Sequence, residues 1–415
     1  MREDSGVVHG PVRRQLERAR VTSYATARWA DTEPRDKETE LTNERVLVTG
    51  GAGFIGSHLV DRLVKGGYGV RVLDALLPQV HGDGEARSVN REAEFQRGDV
   101  RDAETVRKAL TQVDVVVHFA AAVGVGQSMY EIAHYSSVNV LGTAMLLEAL
   151  VKGGHRPRRM LVASSMSIYG EGLYQCEGCG PQSPGPRPTN QLARHDWTVR
   201  CPRCREPMES RPTPETKSIV PTSIYALNKR DQEEMMLLLG RSLGIPTVAL
   251  RFFNVYGQRQ ALSNPYTGVG AIFSSALLNG QRPLVFEDGL QERDFIHVSD
   301  IVAACMQAIE RDNIGDIVVN IGTGQATNLL QLTSLLRRHI ARAEDIAPEI
   351  VGRFREGDIR SCYADVRRAR DVLGFSARVP LEEGVKELAA WVLEQSSVER
   401  TREALEELQR FGLLK

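Results

Sequence analysis

Tyr225 and Lys229 stand four residues apart in the run Tyr225-Ala226-Leu227-Asn228-Lys229. On a helix that spacing stacks both side chains on one face. A free phenol has a pKa of about 10 and is a poor base at neutral pH; lowering it by about three units needs roughly 4 kcal/mol of preferential phenolate stabilisation. A neighbouring ammonium in a partly dry cleft supplies part of that. The pair therefore describes proton transfer to and from a hydroxyl. Alone, a Tyr-x-x-x-Lys spacing is a chance feature of many surface helices. Here it follows a serine cluster, Ser164-Ser165-Met166-Ser167, one of whose hydroxyls could bridge a substrate hydroxyl and the tyrosine.

Upstream, Arg45-Val46-Leu47-Val48 runs directly into Thr49-Gly50-Gly51-Ala52-Gly53-Phe54-Ile55-Gly56. A pyrophosphate needs backbone N–H groups at close range and the positive end of a helix. Gly50, Gly53 and Gly56 supply the tight turn, the close approach and the helix–strand contact, with Phe54 and Ile55 opening the helix. The spacing Gly-x-x-Gly-x-x-Gly differs from the commoner Gly-x-Gly-x-x-Gly. Asp74 closes the next strand, 18 residues after Gly56. A carboxylate there accepts hydrogen bonds from ribose hydroxyls and repels a 2′-phosphate. Ala75 and Leu76 offer no Arg, so NAD is favoured over NADP. Its cationic nicotinamide is the second charge that favours the phenolate. Asp99 ends a third strand, where it either meets the adenine or only forms a turn.

These groups need a scaffold. Apolar strands are expected at 45–48, 70–73, 93–96, 113–119, 160–163 and 247–252, and helices from Phe54 to about residue 65, at 140–150 and at 225–243. Strand–helix alternation of this kind predicts an α/β fold with a Rossmann-type, doubly wound parallel sheet. The serine cluster falls at the sheet's carboxyl edge, where ligands of such sheets bind. Beyond Phe253 the alternation becomes irregular, with helices near 270–278, 300–309 and 329–340. The expected organisation is a loose N-terminal tail (1–43, with a short helix near 12–20), an NAD-binding domain (44–253) and a smaller C-terminal substrate lobe (254–415) interleaved with the sheet.

The chain has 415 residues, 42% hydrophobic and 25% charged, with a formal net charge of -1. That balance favours neither nucleic acid nor an anionic membrane. No apolar stretch reaches the roughly 18 residues that span a bilayer, and the start lacks a signal-peptide core. A cytoplasmic location, with reduced thiols, is the expectation. Cys176-x-x-Cys179 and Cys201-x-x-Cys204 lie within an insert, 172–219, between the serine cluster and Tyr225. Two such knuckles make a tetrahedral thiolate site for structural Zn²⁺; a disulfide pair or free thiols are the alternatives. The insert is too polar to pack alone, so a metal would supply its folding energy. Above the site it would act as a lid or contact a partner. Cys305 and Cys362 read as core thiols, and His118, after an apolar strand, as a structural histidine.

Together with Gly98-Asp99-Val100, His118-Phe119-Ala120-Ala121, Asn139, residues 164–170, residues 251–257 and Arg293-Asp294-Phe295-Ile296-His297, these motifs resemble one family over about residues 44–395. It is the extended short-chain dehydrogenase/reductases of the NAD-dependent nucleotide-sugar epimerase/dehydratase type. The resemblance implies that Asp99 and Val100 border the adenine, and that Phe119, Ala120, Ala121, Asn139 and Phe253 belong to the cofactor site. It implies that Ser165, Tyr225 and Lys229 are catalytic, Tyr225 and Lys229 touching the cofactor as well. Ser128 and Ser165 would meet the sugar, Asn254 and Arg293 the substrate diphosphate, Arg355 and Asp358 the nucleotide, and Phe286 the base. It further implies a homodimer formed through the helices at 140–150 and 225–243.

Dehydrating members of the family carry an Asp-Glu pair after the serine or threonine, and decarboxylating members a Glu. Met166 and Ser167 stand there, and neither moves a proton at C5 or C6. The resemblance then implies epimerisation at C4 through a 4-keto sugar, with NAD regenerated. The implied substrate is of the dTDP-L-rhamnose (dTDP-6-deoxy-L-talose) type first, UDP-glucose or UDP-glucuronate next. A dehydrogenase, reductase or dehydratase is the rival within enzymes. A dinucleotide-sensing protein that contacts nucleic acid or protein through the arginines of 187–205 is the rival outside them. The intact Ser165, Tyr225 and Lys229 set argues against a sensor, which does not need it.

Overall fold

The computed structural model describes residues 43–82, 86, 88–340, 343–355, 357–396 and 400–415. Apart from Asn43, the expected tail and its short helix lie outside the described residues. Seven strands form the main sheet: β1 (Arg45–Thr49), β2 (Gly69–Asp74), β3 (Glu94–Arg97), β4 (Val115–His118), β5 (Arg159–Ser165), β6 (Thr247–Phe252) and β7 (Ile317–Ile321). Their order is β3-β2-β1-β4-β5-β6-β7, and every neighbouring pair is parallel. The chain reverses direction across the sheet between β1 and β4, which opens a crevice at their carboxyl ends.

Alternation along each strand feeds two apolar layers. Val46 and Val48 of β1 join one core with Leu59 and Leu63 of helix α1 (Phe54–Lys65). Leu47 joins the other, with Leu146 and Leu150 of helix α2 (Gly142–Gly153) and Met236 of helix α3 (Ile224–Leu243). Both faces are covered, which is why the strands read as apolar runs. A third core holds the helices Val269–Leu278, Leu329–His339 and Leu381–Leu393 together.

The helices Ala103–Ala109 and Leu381–Leu393 went unforeseen, and other elements differ from the expectation. β7 was hidden in the irregular C-terminal half. Helix α2 starts later than expected, behind a π-turn at Ser137–Leu141. A further helix, Thr401–Arg410, follows beyond the family resemblance. The insert carries its own antiparallel sheet of Leu173–Cys176, Gly180–Gln182 and Glu209–Arg211. No helix among the described residues is long and apolar enough to cross a membrane.

Candidate active site

One cavity of about 580 Å³ lies at the carboxyl edge of the sheet, over the β1–β4 crevice. Its floor is the glycine turn. Gly50 adopts φ +71°, and a Cβ on it would stand 2.7 Å from the Ala120 nitrogen. At Gly53 a Cβ would meet only the Gly50 carbonyl, at 3.3 Å, so this residue borders open space. Helix α1 begins there with no side-chain cap and no acidic residue in its first turn. The N–H groups of that turn have no intrahelical partners, which suits them to an anion. Gly50, Gly53, Phe54, Ile55 and Gly56 all line the cavity, so the residues fit a pyrophosphate.

Asp74 lines the cavity beside them and is locked in place: its carboxylate accepts from the Ala52 nitrogen at 3.0 Å and the Leu76 nitrogen at 2.9 Å. His81, which carried no motif, lies 3.7 Å from it. Asp99 both lines the cavity and shapes a turn, because Arg101 binds its carboxylate at 2.6–3.1 Å and holds its pKa below the usual range. Val100, Phe119, Ala120, Ala121 and Phe253 complete that wall.

Two residues of the expected site do not line the cavity. Ser128 is fully buried; its hydroxyl donates to the Val125 carbonyl and accepts from the Tyr225 nitrogen at 3.0 Å. It therefore anchors the start of helix α3. Asn139 is equally buried and spends both ends of its amide on the backbone of Ala122, at 2.7 and 3.1 Å. It shapes the loop after β4.

Helix α3 is capped by Ser223, whose hydroxyl accepts from the Ala226 nitrogen. Tyr225 and Lys229 project from its first turns into the cavity, toward the end of β5. The Lys229 ammonium donates to the Ala163 carbonyl at 2.9 Å. Ser164 is tied to Glu233 at 2.6 Å, and Glu233 to Arg251, so its hydroxyl is committed to the core. Ser165 lines the cavity and accepts from the Ser167 hydroxyl at 2.9 Å, which singles it out from the cluster.

Burial pushes the Tyr225 phenol up to about 12, with the hydroxyl of Ser165 pulling the other way. Burial pushes Lys229 down to about 7. The expectation that the lysine lowers the phenol is thus not met by these residues by themselves, because both groups share one desolvated pocket. A testable consequence concerns stability. Below about pH 7, Lys229 is charged in both folded and unfolded chains and its burial costs the most. Between about 7 and 10.5 the unfolded chain binds more protons, so stability climbs with pH. In NAD-stripped protein, Lys229→Met melts above wild type near neutrality, and the gap closes toward pH 10. A gap that does not vary with pH contradicts the assignment.

Asn254 and Arg293 lie on short strands of two separate sheets, Asn254–Tyr256 and Glu292–Arg293, and both line the cavity. The Asn254 amide oxygen is buried without a partner among the described residues. The Arg293 guanidinium is held by the carbonyls of Glu292 and Ile359, both at 2.8 Å, and not by a carboxylate among the described residues. Farther out, Arg355 stacks 5.0 Å over the Phe286 ring and donates to Asp358 at 2.9 Å. All three line the cavity. So do Ala404, Leu405 and Leu408 of the C-terminal helix. Their apolar spacing was visible in the sequence, but no motif tied it to the site.

The Sγ atoms of Cys176, Cys179, Cys201 and Cys204 all lie within 4.8 Å of one another, and none forms a disulfide. A tetrahedral Zn²⁺ with bonds of about 2.3 Å sets sulfurs about 3.8 Å apart, so this set fits one ion with no open position. No residue of the insert lines the cavity. The expected lid is therefore not what the insert forms; it packs behind the Phe286 wall. Cys305 and Cys362 are buried. His118 is buried between the Thr49 and Thr143 hydroxyls at 2.8 and 2.9 Å, and desolvation pushes its pKa down to about 3, as a structural histidine requires.

Residues 46–194 and 202–322 match the model of the NAD dependent epimerase/dehydratase family. A dTDP-L-rhamnose 4-epimerase of Burkholderia thailandensis is 33% identical over 358 residues, 86% of this chain and 96% of its own. Among solved structures, the UDP-glucose 4-epimerase of Thermotoga maritima with UDP-glucose aligns with a TM-score of 0.67 and 32% identity, over 84% of this chain and 99% of its own. The UDP-glucuronic acid 4-epimerase of Bacillus cereus, in complex with UDP-glucuronic acid and NAD, aligns with a TM-score of 0.68 and 25% identity, over 84% of this chain and 99% of its own.

Proposed function

Because the chain belongs to the NAD dependent epimerase/dehydratase family, we propose that it inverts C4 of a nucleotide-diphospho-sugar, with residues 44–253 holding NAD and 254–415 the substrate. The observation that carries this reading is the convergence of Ser165, Tyr225, Lys229, Asn254 and Arg293 on the cavity that the glycine turn floors. The glycine turn and Asp74 would hold NAD, which supplies a reversible two-electron acceptor for the sugar carbon. Tyr225 takes the proton of the 4-hydroxyl and later returns it. Ser165 hydrogen-bonds the same oxygen and keeps it aligned with the phenol. Lys229, which lines the same cavity, would help to hold the cofactor and would favour the phenolate once the site carries a second positive charge. Asn254 and Arg293 anchor the diphosphate while the 4-keto sugar turns over, so remote binding energy retains the intermediate. Met166 is buried, and Ser167 donates its proton to Ser165. Neither position offers an acid or base for elimination or decarboxylation.

A dTDP-6-deoxy sugar is the first substrate to test, supported by the Burkholderia relative. UDP-glucose and UDP-glucuronate come next, supported by the two structural relatives. Purified protein is expected to interconvert one such C4 pair without added cofactor. Consumption of NAD in step with product would favour a dehydrogenase instead. We further propose a cytoplasmic homodimer through helices α2 and α3, supported by the exposure of Val151, Leu227 and Leu238 on them; sedimentation checks it. The four thiolates are proposed to hold one structural Zn²⁺ per chain, which elemental mass analysis counts.

A further inference from the structure

Behind the Phe286 wall lies a buried charge network that the proposed chemistry does not use. Arg187, from the cysteine insert, is almost wholly shielded from solvent. Its guanidinium binds both carboxylate oxygens of Glu287, at 2.7 and 2.9 Å, and donates to the Asp358 carbonyl at 3.1 Å and the Trp197 carbonyl at 3.3 Å. Its remaining nitrogen faces Glu171 at 3.5 Å. Glu171 in turn accepts from the Arg360 nitrogen at 2.8 Å and from the Tyr174 hydroxyl at 3.0 Å.

Two partners of Arg187, Glu287 and Asp358, are tied to groups that face the cavity. Glu287 follows Phe286 directly. Asp358 holds the Arg355 guanidinium, which stacks on Phe286. Glu287 also sits at φ +50°, a conformation that a residue with a Cβ adopts only when its surroundings enforce it. The enforcing contacts are Arg187 and Arg360, the latter at 3.0 Å. The insert adds an apolar clamp: Trp197 packs edge-on against Phe354, with ring centroids 6.2 Å apart, one residue before Arg355. Trp197 leads within four residues to Cys201. The cysteine cluster, Arg187 and the Phe286–Arg355–Asp358 wall are thus joined by short links, of which the Arg187–Glu287 pair is buried.

We propose that Arg187 is a positioning residue for nucleotide recognition: it transmits the order of the cysteine insert to Phe286 and Arg355. Nucleotide affinity then depends on the loaded cysteine site, although no residue of the insert touches the cavity. The proposal rests on the reading of Phe286, Arg355 and Asp358 as the nucleotide wall.

Titration calorimetry of NAD-loaded protein with UDP and with dTDP tests it, alongside steady-state kinetics. Arg187→Met is expected to weaken nucleotide binding and raise KM by about tenfold or more, with kcat and bound NAD within about twofold of wild type. Arg187→Lys restores part of the affinity, since one charge remains but the bidentate fork is lost. Stripping the metal from wild type with a mercurial and a chelator lowers nucleotide affinity similarly, and adds little to Arg187→Met. Should Arg187→Met fail to fold because a carboxylate is stranded, Arg187→Met with Glu287→Gln removes that charge and carries the same expectation. Phe286→Ala separates the two readings. If it weakens nucleotide binding while Arg187→Met does not, the positioning role is overturned and the nucleotide wall stands. If neither variant weakens binding, the wall itself has been misread. A fall in kcat with unchanged KM also overturns the proposal.

Discussion

Tyr225→Phe stops turnover while the protein keeps its NAD. The expected loss in kcat is about 10³-fold or more, within the range assigned to a single general acid–base group. The variant removes one oxygen from a buried position and leaves the ring that packs against Ala122 and Val138. No packing void forms, and the cost of burying the phenol hydroxyl disappears together with its hydrogen bond to Ser165. The melting temperature should hold or rise, so inactivity cannot be ascribed to unfolding. The glycine turn, Asp74 and the loop at Phe119–Ala121 are untouched, so NAD released by denaturation should remain near wild-type stoichiometry. The phenol also explains why the reaction needs a loaded site. With burial holding Tyr225 near 12 and Lys229 near 7, the apo pocket disfavours phenolate and ammonium alike. A permanent cation bound beside them shifts the phenol toward ionisation. Near-normal activity in Tyr225→Phe would remove the proton-transfer role, and loss of NAD with activity would make the tyrosine a binding residue.

What the sequence disclosed, and what it hid, follows the range of the forces involved. β1, α1 and the glycine turn are local: an apolar run, a change of period and three glycines lie within 20 residues. The same holds for Tyr225 and Lys229, whose facing is set by helical spacing alone. The metal-type knuckles are local as well, because two Cys-x-x-Cys turns need only fold toward each other. Ser128 and Asn139 were assigned to ligands from their motifs, but a motif does not say where a side chain points. Both turned out to serve the backbone of the elements that carry the site. β7 reads Ile317-Val318-Val319-Asn320-Ile321, a plain strand, yet it follows a long helical stretch that masked the alternation. The Arg187 network had no local trace: its partners Glu287 and Asp358 lie 100 and 171 positions away. Only the folded chain brings them together.

The glycine turn permits a sharper test, because two of its glycines are needed for different reasons. A Cβ on Gly56 would lie 2.2 Å from the Gly50 carbonyl oxygen and 2.7 Å from the Gly51 Cα. Both are backbone atoms of the strand–helix junction, so no side chain can rotate to make room. Gly56→Ala must push helix α1 away from β1, an overpacking that costs about 1–3 kcal/mol. It should lower the melting temperature by several degrees (roughly 2–4 °C per kcal/mol) and abolish NAD retention, because the first-turn N–H groups move with the helix. Gly53 differs. Its φ of -72° is open to any residue, and its Cβ would touch protein only at 3.3 Å. Gly53→Ala should therefore lower the apo melting temperature much less than Gly56→Ala, since the Gly50 carbonyl needs to give only slightly. The added methyl group instead occupies the face that a pyrophosphate must approach, so NAD affinity should fall by about tenfold or more. Stability and cofactor retention thus separate at the two positions: lost together at Gly56, uncoupled at Gly53. If Gly53→Ala binds NAD as tightly as wild type, the open face of the turn is not where the diphosphate sits, and the cofactor assignment built on it fails.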